Sequence, residues 1–241
     1  MQRQVLLLCA TPQECCRLLP EGAQPRPLGG RSSYALGPAT VMVCGVGRVN
    51  AAQAATAAIE AGGIGAVVSF GSAGAYPAAG LGIGDLAVAR EEIGDELIVL
   101  PERYATLAEM CVPLPAEEPP MLNRMGADPT LSSRLTAACF EVAGPQVRVA
   151  SGAMLTVSRI TSSRAEAERL VALFGPLLCE NMEGAAAAQV ARHYGLPFAE
   201  VRAVSNLVDD RARQCWDFPL AAASCCRAVA AFVDGLRDNP L

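Results

Sequence analysis

Histidine is nearly absent from this sequence. His193 is the only one, and no two cysteines stand at C-x-x-C spacing. Zinc sites recruit several Cys or His ligands at regular offsets, so no metal is expected, and nothing calls for another cofactor. Basic blocks are missing too. The 19 basic residues against 24 acidic ones leave a net charge of −5, with no stripe that could follow a nucleic-acid backbone. Apolar runs are interrupted by glycine or charge well short of a bilayer span, which argues against a membrane partner. The first apolar run, Val5 to Ala10, gives way at once to Thr11-Pro12-Gln13-Glu14 and reads as a core strand rather than a signal peptide. Gly45-Val46-Gly47-Arg48 lacks the rest of a dinucleotide fingerprint, and no internal repeat is visible.

What is present is globular in composition, with 52% hydrophobic and 18% charged residues. A length of 241 residues suits one α/β domain over residues 1–241. The ten cysteines include the adjacent pairs Cys15-Cys16 and Cys225-Cys226. In an apolar chain of this size they read as reduced, small, mostly buried hydrophobes of a cytoplasmic protein.

Apolar runs of strand length fall at residues 5–9, 41–44, 66–70, 85–89, 147–151 and 198–205. Longer amphipathic stretches at about 50–60, 163–174, 182–194 and 219–236 are expected helices, with Gly195-Leu196-Pro197 stopping the third. The alternation predicts an α/β fold of three layers, with a central mixed, mainly parallel sheet covered on both faces. Residues 101–129 stand apart because they hold six prolines. They are expected to form an irregular surface excursion with at most a short helix around 104–110. It is readable as a lid, as a contact to a second subunit or as a plain solvated loop.

In open α/β sheets a ligand binds beyond the carboxyl ends of the strands. That rule picks out Glu14, then Ser72, Ala73 and Gly74 within Gly71-Ser72-Ala73-Gly74, then Thr156, then Ser205 and Asn206. Glu183 joins them at a helix start, in Glu180-Asn181-Met182-Glu183-Gly184. Taken singly, each has a structural reading. Glycine-rich turns permit tight geometry, and an acid in a first helical turn favours the dipole.

Their order resembles the purine nucleoside phosphorylase and nucleosidase superfamily, and the match runs over most of the chain. Cys9 to Glu14 resembles that family's opening strand and acidic turn. Gly45-Val46-Gly47-Arg48-Val49-Asn50-Ala51-Ala52, Phe70-Gly71-Ser72-Ala73-Gly74-Ala75, the segment Leu81 to Ala89 with Gly84-Asp85, Asn181-Met182-Glu183-Gly184-Ala185-Ala186 and Arg202-Ala203-Val204-Ser205-Asn206 resemble its later motifs. The resemblance implies cleavage of a purine–ribosyl bond. Glu183 would bind the ribosyl hydroxyls and face the developing cation. Met182 would pack under the sugar, and Glu14 would take a proton from the attacking water. Leu155 and Thr156 match positions that line the base, with the Thr156 backbone as a hydrogen-bond partner, and Ser205 would orient Asn206.

Two positions refine this. Phosphorylases of the superfamily commonly carry Arg where this chain has Ser69, so water is the expected acceptor, although Arg48 remains a candidate anion contact. Adenine-specific nucleosidases usually carry Asp where this chain has Asn206. An amide can donate to a 6-oxo group and accept from a protonated N7, which favours a hypoxanthine-type base. With Asp209 to Trp216 following, the chain resembles the futalosine hydrolase branch, whose members release hypoxanthine from futalosine in a route to menaquinone. Arg211, Arg213 and Trp216 are then candidate contacts to the substrate's carboxylated aromatic tail, while Trp216 reads equally as an anchor for the last helix. His193 is expected to meet its helix's C-terminal dipole. Alternative readings are a methylthioadenosine/adenosylhomocysteine nucleosidase, a phosphate-dependent phosphorylase and a non-catalytic nucleoside-binding protein. A homo-oligomer is expected from the relatives.

Overall fold

The computed structural model describes residues 3–114, 120–210 and 215–240. In chain order the elements are β1 (Gln4–Cys9), α1 (Pro12–Cys15), β2 (Arg26–Leu28), β3 (Arg31–Leu36), β4 (Ala39–Val43), α2 (Arg48–Glu60) and β5 (Ile64–Ala75). Then come β6 (Leu86–Gly94), β7 (Leu97–Val99), β8 (Tyr104–Thr106), β9 (Arg124–Gly126), α3 (Pro129–Val142), β10 (Val149–Thr156) and α4 (Arg164–Phe174). The chain finishes with β11 (Cys179–Asn181), α5 (Gly184–His193), β12 (Phe198–Leu207) and α6 (Phe218–Asp238).

β1 is apolar along its length because both faces are covered. Val5 and Leu7 join a core with residues of α3 and α6, while Leu6 and Leu8 join a second core with residues of α2 and α5. α6 is long and apolar enough to cross a membrane by length and composition alone. Its apolar side is instead buried against β5, β12 and α3. All ten cysteines are free thiols.

The main sheet runs β11-β10-β6-β12-β5-β1-β4-β3-β2, with β9 beside β6. β1 lies parallel to β4 and β5, β12 parallel to β5, and β10 parallel to β6 and β11. β12 against β6 is antiparallel, so the sheet is mixed and mainly parallel, as expected. β5 is twelve residues long. Its end meets β11 antiparallel, with Gly74 opposite Glu180 and Ala75 opposite Cys179. That pairing closes β11, β10, β6, β12 and β5 into a ring. β12 shifts register between Val204 and Asn206, a bulge that falls on Ser205.

Three expectations need correction. Gly71 to Gly74 is not a turn after a strand but part of β5, because each glycine allows a close approach within the sheet. Residues 104–110 form β8 and a turn rather than a helix; β8 pairs with β7. The proline-rich stretch is not purely a surface excursion. Met121 and Asn123 are buried, and β9 extends the sheet. Asn123 Nδ2 donates to the carbonyls of Gly94 (3.0 Å) and Glu96 (2.8 Å), while its Oδ1 accepts from the Leu107 amide (2.8 Å). The β2–β3 hairpin and α3 had no counterpart among the expected elements.

Asn123→Ala strips partners from three buried or half-buried backbone groups. It is expected to cost about 1–3 kcal/mol, read as a lower urea midpoint at unchanged slope.

Candidate active site

A cavity of about 440 Å³ opens at the closed end of the sheet. Its wall includes Glu14, Ser72, Ala73, Gly74, Met182, Glu183, Ser205, Asn206 and Trp216, which sequence reasoning had singled out from five separate segments.

Glu14 sits in the short helix after β1 and is buried. Its Oε2 accepts from the amides of Ala10 and Thr11, both at 3.0 Å, and from the Thr11 hydroxyl at 3.4 Å. Its Oε1 accepts from the amide (2.9 Å) and hydroxyl (3.0 Å) of Ser72. Gly71 makes this possible. Its φ is +153°, and a Cβ there would lie 2.4 Å from Glu14 Oε1 and 2.9 Å from Arg202 Nη1.

Glu183 is the N-cap residue of α5. Its Oε1 accepts from the Gly47 amide at 2.9 Å, which gives the Gly45-Val46-Gly47 turn a role: it presents an N–H to a residue 136 positions away. Its Oε2 lies 3.6 Å from Nη1 of Arg202. Burial raises the Glu183 pKa above the ordinary glutamate value of 4.5. Arg202 and the Gly47 amide oppose that rise, and Glu14 and Glu200 add to it.

Arg202 is 1% exposed. Nε donates to Glu200 Oε1 at 2.5 Å and Nη2 to the Ser69 hydroxyl at 2.9 Å, while Nη1 lies 3.4 Å from the Ser72 carbonyl. Burial works against its charge, but Glu200, Glu183 and Glu14 outweigh it, so the guanidinium is held charged. Ser69 serves as a hydrogen-bond partner for Arg202.

Asn206 Oδ1 accepts from the Ser205 hydroxyl at 2.9 Å, and Nδ2 donates to the Leu207 carbonyl at 3.3 Å. This pair of contacts sets the amide's orientation. At the rim Trp216 stacks on Phe218, with ring centroids 5.2 Å apart and planes 28° apart.

Two expected base-lining residues do not line the cavity. Leu155 is packed in a core with Tyr76, Ile93 and Phe174. Thr156 is buried, its carbonyl accepts from Arg48 and from the Asp95 amide, and its hydroxyl accepts from the Ala185 amide at 2.7 Å. Its hydroxyl is therefore engaged at the start of α5 and its carbonyl with Arg48 and Asp95, and Val157 and Ile160 line the cavity instead. Arg48 is not an anion contact in this cavity: it pairs with Asp95 and Glu96. His193 lies in the last turn of α5, where a dipole contact was expected, and meets Tyr194 edge to face. Arg211 and Arg213 lie outside the described residues.

Sequence reasoning missed Glu180, Phe218 and the structural weight of Arg202. Glu180 lines the cavity and accepts from Tyr76 Oη (3.0 Å) and from the amide and hydroxyl of Thr161 (2.9 and 2.6 Å). The signal for Arg202 was an arginine inside the apolar run 198–205, with Glu200 two residues before it and hence on the same strand face.

Fold and site together define an α/β enzyme scaffold, with an acid-lined, nucleoside-sized cavity where a mixed sheet closes on itself. The chain belongs to the phosphorylase superfamily, whose sequence profile matches residues 6–236. It is 35% identical to a futalosine hydrolase of Thermus thermophilus, over 77% of this chain and 76% of that one. Identity to a futalosine hydrolase of Acidothermus cellulolyticus is 32%, over 88% and 82% of the two chains. A 5'-methylthioadenosine/S-adenosylhomocysteine nucleosidase from Neisseria meningitidis, solved with methylthio-immucillin-A, superposes with a TM-score of 0.80 at 25% identity, covering 97% of this chain and all of that one. A futalosine hydrolase of Helicobacter pylori shares the fold, with a TM-score of 0.78 at 20% identity over 97% and 98% of the two chains.

The raised pKa of Glu183 has a consequence for stability. Protonation favours the folded state, so this contribution is full below pH 4.5 and is lost as pH rises through the folded-state pKa. Glu183→Gln is therefore expected to flatten the fall in Tm from pH 4.5 toward neutrality. Thermal melts across that range check it.

Proposed function

We propose that this protein is a purine N-ribosidic hydrolase whose substrate is futalosine, released as hypoxanthine and the dehypoxanthine product. The single observation that carries the base assignment is Asn206. Asn206 lines the cavity; with Oδ1 accepting from Ser205, Nδ2 carries a second hydrogen beyond the one given to the Leu207 carbonyl, and an amide donor suits a 6-oxo group rather than a 6-amino group. The relatives named as futalosine hydrolases, at 35% and 32% identity, support the same choice.

Water is the acceptor in this reading. Among the described residues no arginine lines the cavity, while Glu14, Glu180 and Glu183 do, so the wall repels phosphate. Arg202, the nearest buried cation, is occupied by Glu200, Ser69 and Glu183. Glu183 holds the ribosyl hydroxyls and its charge favours an oxocarbenium-like sugar. Glu14, gripped by five donor contacts, keeps one orientation and takes the proton of the attacking water. Met182 packs under the sugar. The N–C1' bond breaks with its electron pair on the base. Asn206 has no acidic proton to give, so the base takes its proton from a second water, and the proton that Glu14 accepted restores that water and returns Glu14 to its carboxylate. The Trp216–Phe218 stack offers a flat apolar face to the aromatic part of the tail. The working enzyme is a homo-oligomer in this reading.

The second reading, a methylthioadenosine/adenosylhomocysteine nucleosidase, is favoured by the 31% identity to such an enzyme of Chromohalobacter salexigens, over 69% of this chain and 66% of that one.

Incubation with futalosine is expected to release hypoxanthine without added phosphate. Release of adenine from methylthioadenosine with no hypoxanthine from futalosine would move the assignment to the second reading. Glu14→Gln and Glu183→Gln should each lower kcat about 10²–10⁴-fold, and unchanged turnover in both would end the catalytic assignment. Trp216→Ala should raise KM for futalosine about tenfold while leaving KM for inosine, which lacks the tail, within about twofold.

A further inference from the structure

Two carboxyl groups that take no part in this chemistry are sealed beneath the cavity floor. Glu92, on β6, and Glu200, on β12, are both 0% exposed. They meet under the start of α5. A Cβ on Gly184 would lie 2.2 Å from Glu200 Oε2 and 2.7 Å from Glu92 Cδ, so only a glycine lets the helix start rest on both.

Each carboxyl reaches Glu183 by its own route. Glu200 Oε1 accepts from Arg202 Nε at 2.5 Å, and Arg202 Nη1 lies 3.6 Å from Glu183 Oε2. Glu92 Oε1 accepts from Asn181 Nδ2 at 2.8 Å, and its Oε2 is 2.7 Å from the Thr156 hydroxyl. Asn181 Oδ1 in turn accepts from the amides of Glu183 (2.9 Å) and Gly184 (2.7 Å), and Thr156 Oγ1 from that of Ala185. Glu92 therefore anchors the side chains that cap α5, and Glu200 anchors the cation that faces Glu183.

Charge balance decides the state of the pair. Two adjoining carboxylates, both fully buried and sharing a guanidinium that bonds only one of them, repel each other strongly when both are ionised. Among the described residues no N–H or hydroxyl reaches Glu200 Oε2. A proton on Glu92 removes the repulsion and supplies the missing donor. Burial, and then the Glu200 carboxylate, push the Glu92 carboxyl well above the ordinary glutamate range.

We propose that Glu92 and Glu200 form a carboxylic acid–carboxylate pair sharing one proton, which positions Glu183 through Arg202 on one side and through the first-turn amides of α5 on the other. Both are positioning residues, since neither lines the cavity. The kinetic arm of the test rests on the reading of Glu183 given above, and the spectroscopic arm does not.

Glu92→Gln keeps the shape and neutrality of the acid, and its amide can donate to Glu200. It is expected to retain kcat within about threefold. Glu92→Ala and Glu200→Gln should each lower kcat about 10–100-fold with KM changed less. Infrared spectra of the wild-type protein at neutral pH should contain the C=O stretch of a buried carboxylic acid that Glu92→Gln lacks. A missing band, or a Glu92→Gln variant as slow as Glu92→Ala, would overturn the shared proton. A Glu200→Gln protein that melts like wild type and keeps full kcat would overturn the positioning role. If Glu200→Gln does not fold, the two Glu92 variants still decide by their kcat ratio. If the wild-type protein cleaves no nucleoside, the hydrolase reading fails while the infrared difference still decides the pair.

Discussion

A guanidinium that water cannot reach must be surrounded by acceptors, and the arrangement around Arg202 follows from that requirement. Glu200, Ser69 and the Ser72 carbonyl take its hydrogens, and Glu183 stands opposite its remaining face. Those groups come from β12, β5 and the start of α5, so one cation ties together the two central strands and the helix that begins at the cavity acid Glu183. Without it Glu183 would be a buried carboxylate held by one amide. With it, Glu183 faces a cation that is itself held by a second carboxyl group, Glu200, with a third, Glu92, behind that.

The backbone accommodates this crowding by removing side chains. Gly71 lets Glu14 and Arg202 come within contact of the β5 main chain, Gly184 lets α5 begin on top of Glu92 and Glu200, and Gly47 turns its amide onto Glu183. The ring closure of β5 onto β11 and the bulge at Ser205 then bring Asn206 and Glu183 to the wall of one cavity. Catalytic geometry is thus carried by strand ends and helix starts, which are stiffer than the loops around them.

The same arrangement accounts for the acceptor. The superfamily includes enzymes that use phosphate and enzymes that use water. Here the cationic position two residues before Gly71 is a serine, the arginine nearest the floor is saturated with acceptors, and three glutamates face the cavity. Electrostatics makes that floor a poor site for an anion such as phosphate.

Much of this was readable in the order of residues. Alternating apolar runs specify a covered, mainly parallel sheet because a strand buried on both faces must be apolar throughout, and Glu14, Ser72, Glu183 and Asn206 stood at strand ends and a helix start. Local reading failed where a residue's role depends on a distant partner. Gly71 to Gly74 looked like a turn because glycine permits one, whereas its glycines answer to Glu14, Arg202 and Asn206 crowding a strand. Leu155 and Thr156 had the right register but the wrong side, since the side chain of one belongs to a core and that of the other to the cap of α5. Sequence by itself determined the layers, the acids and the amide at position 206, because hydrophobic periodicity and side-chain chemistry are local. Only the tertiary structure decided that Arg202 is bound by Glu200, Ser69 and Glu183, and that Glu92 lies beneath them. Ser69 and Glu92 each stand more than a hundred positions from the β12 residue they meet, and only the pairing of the strands in the sheet brings them together.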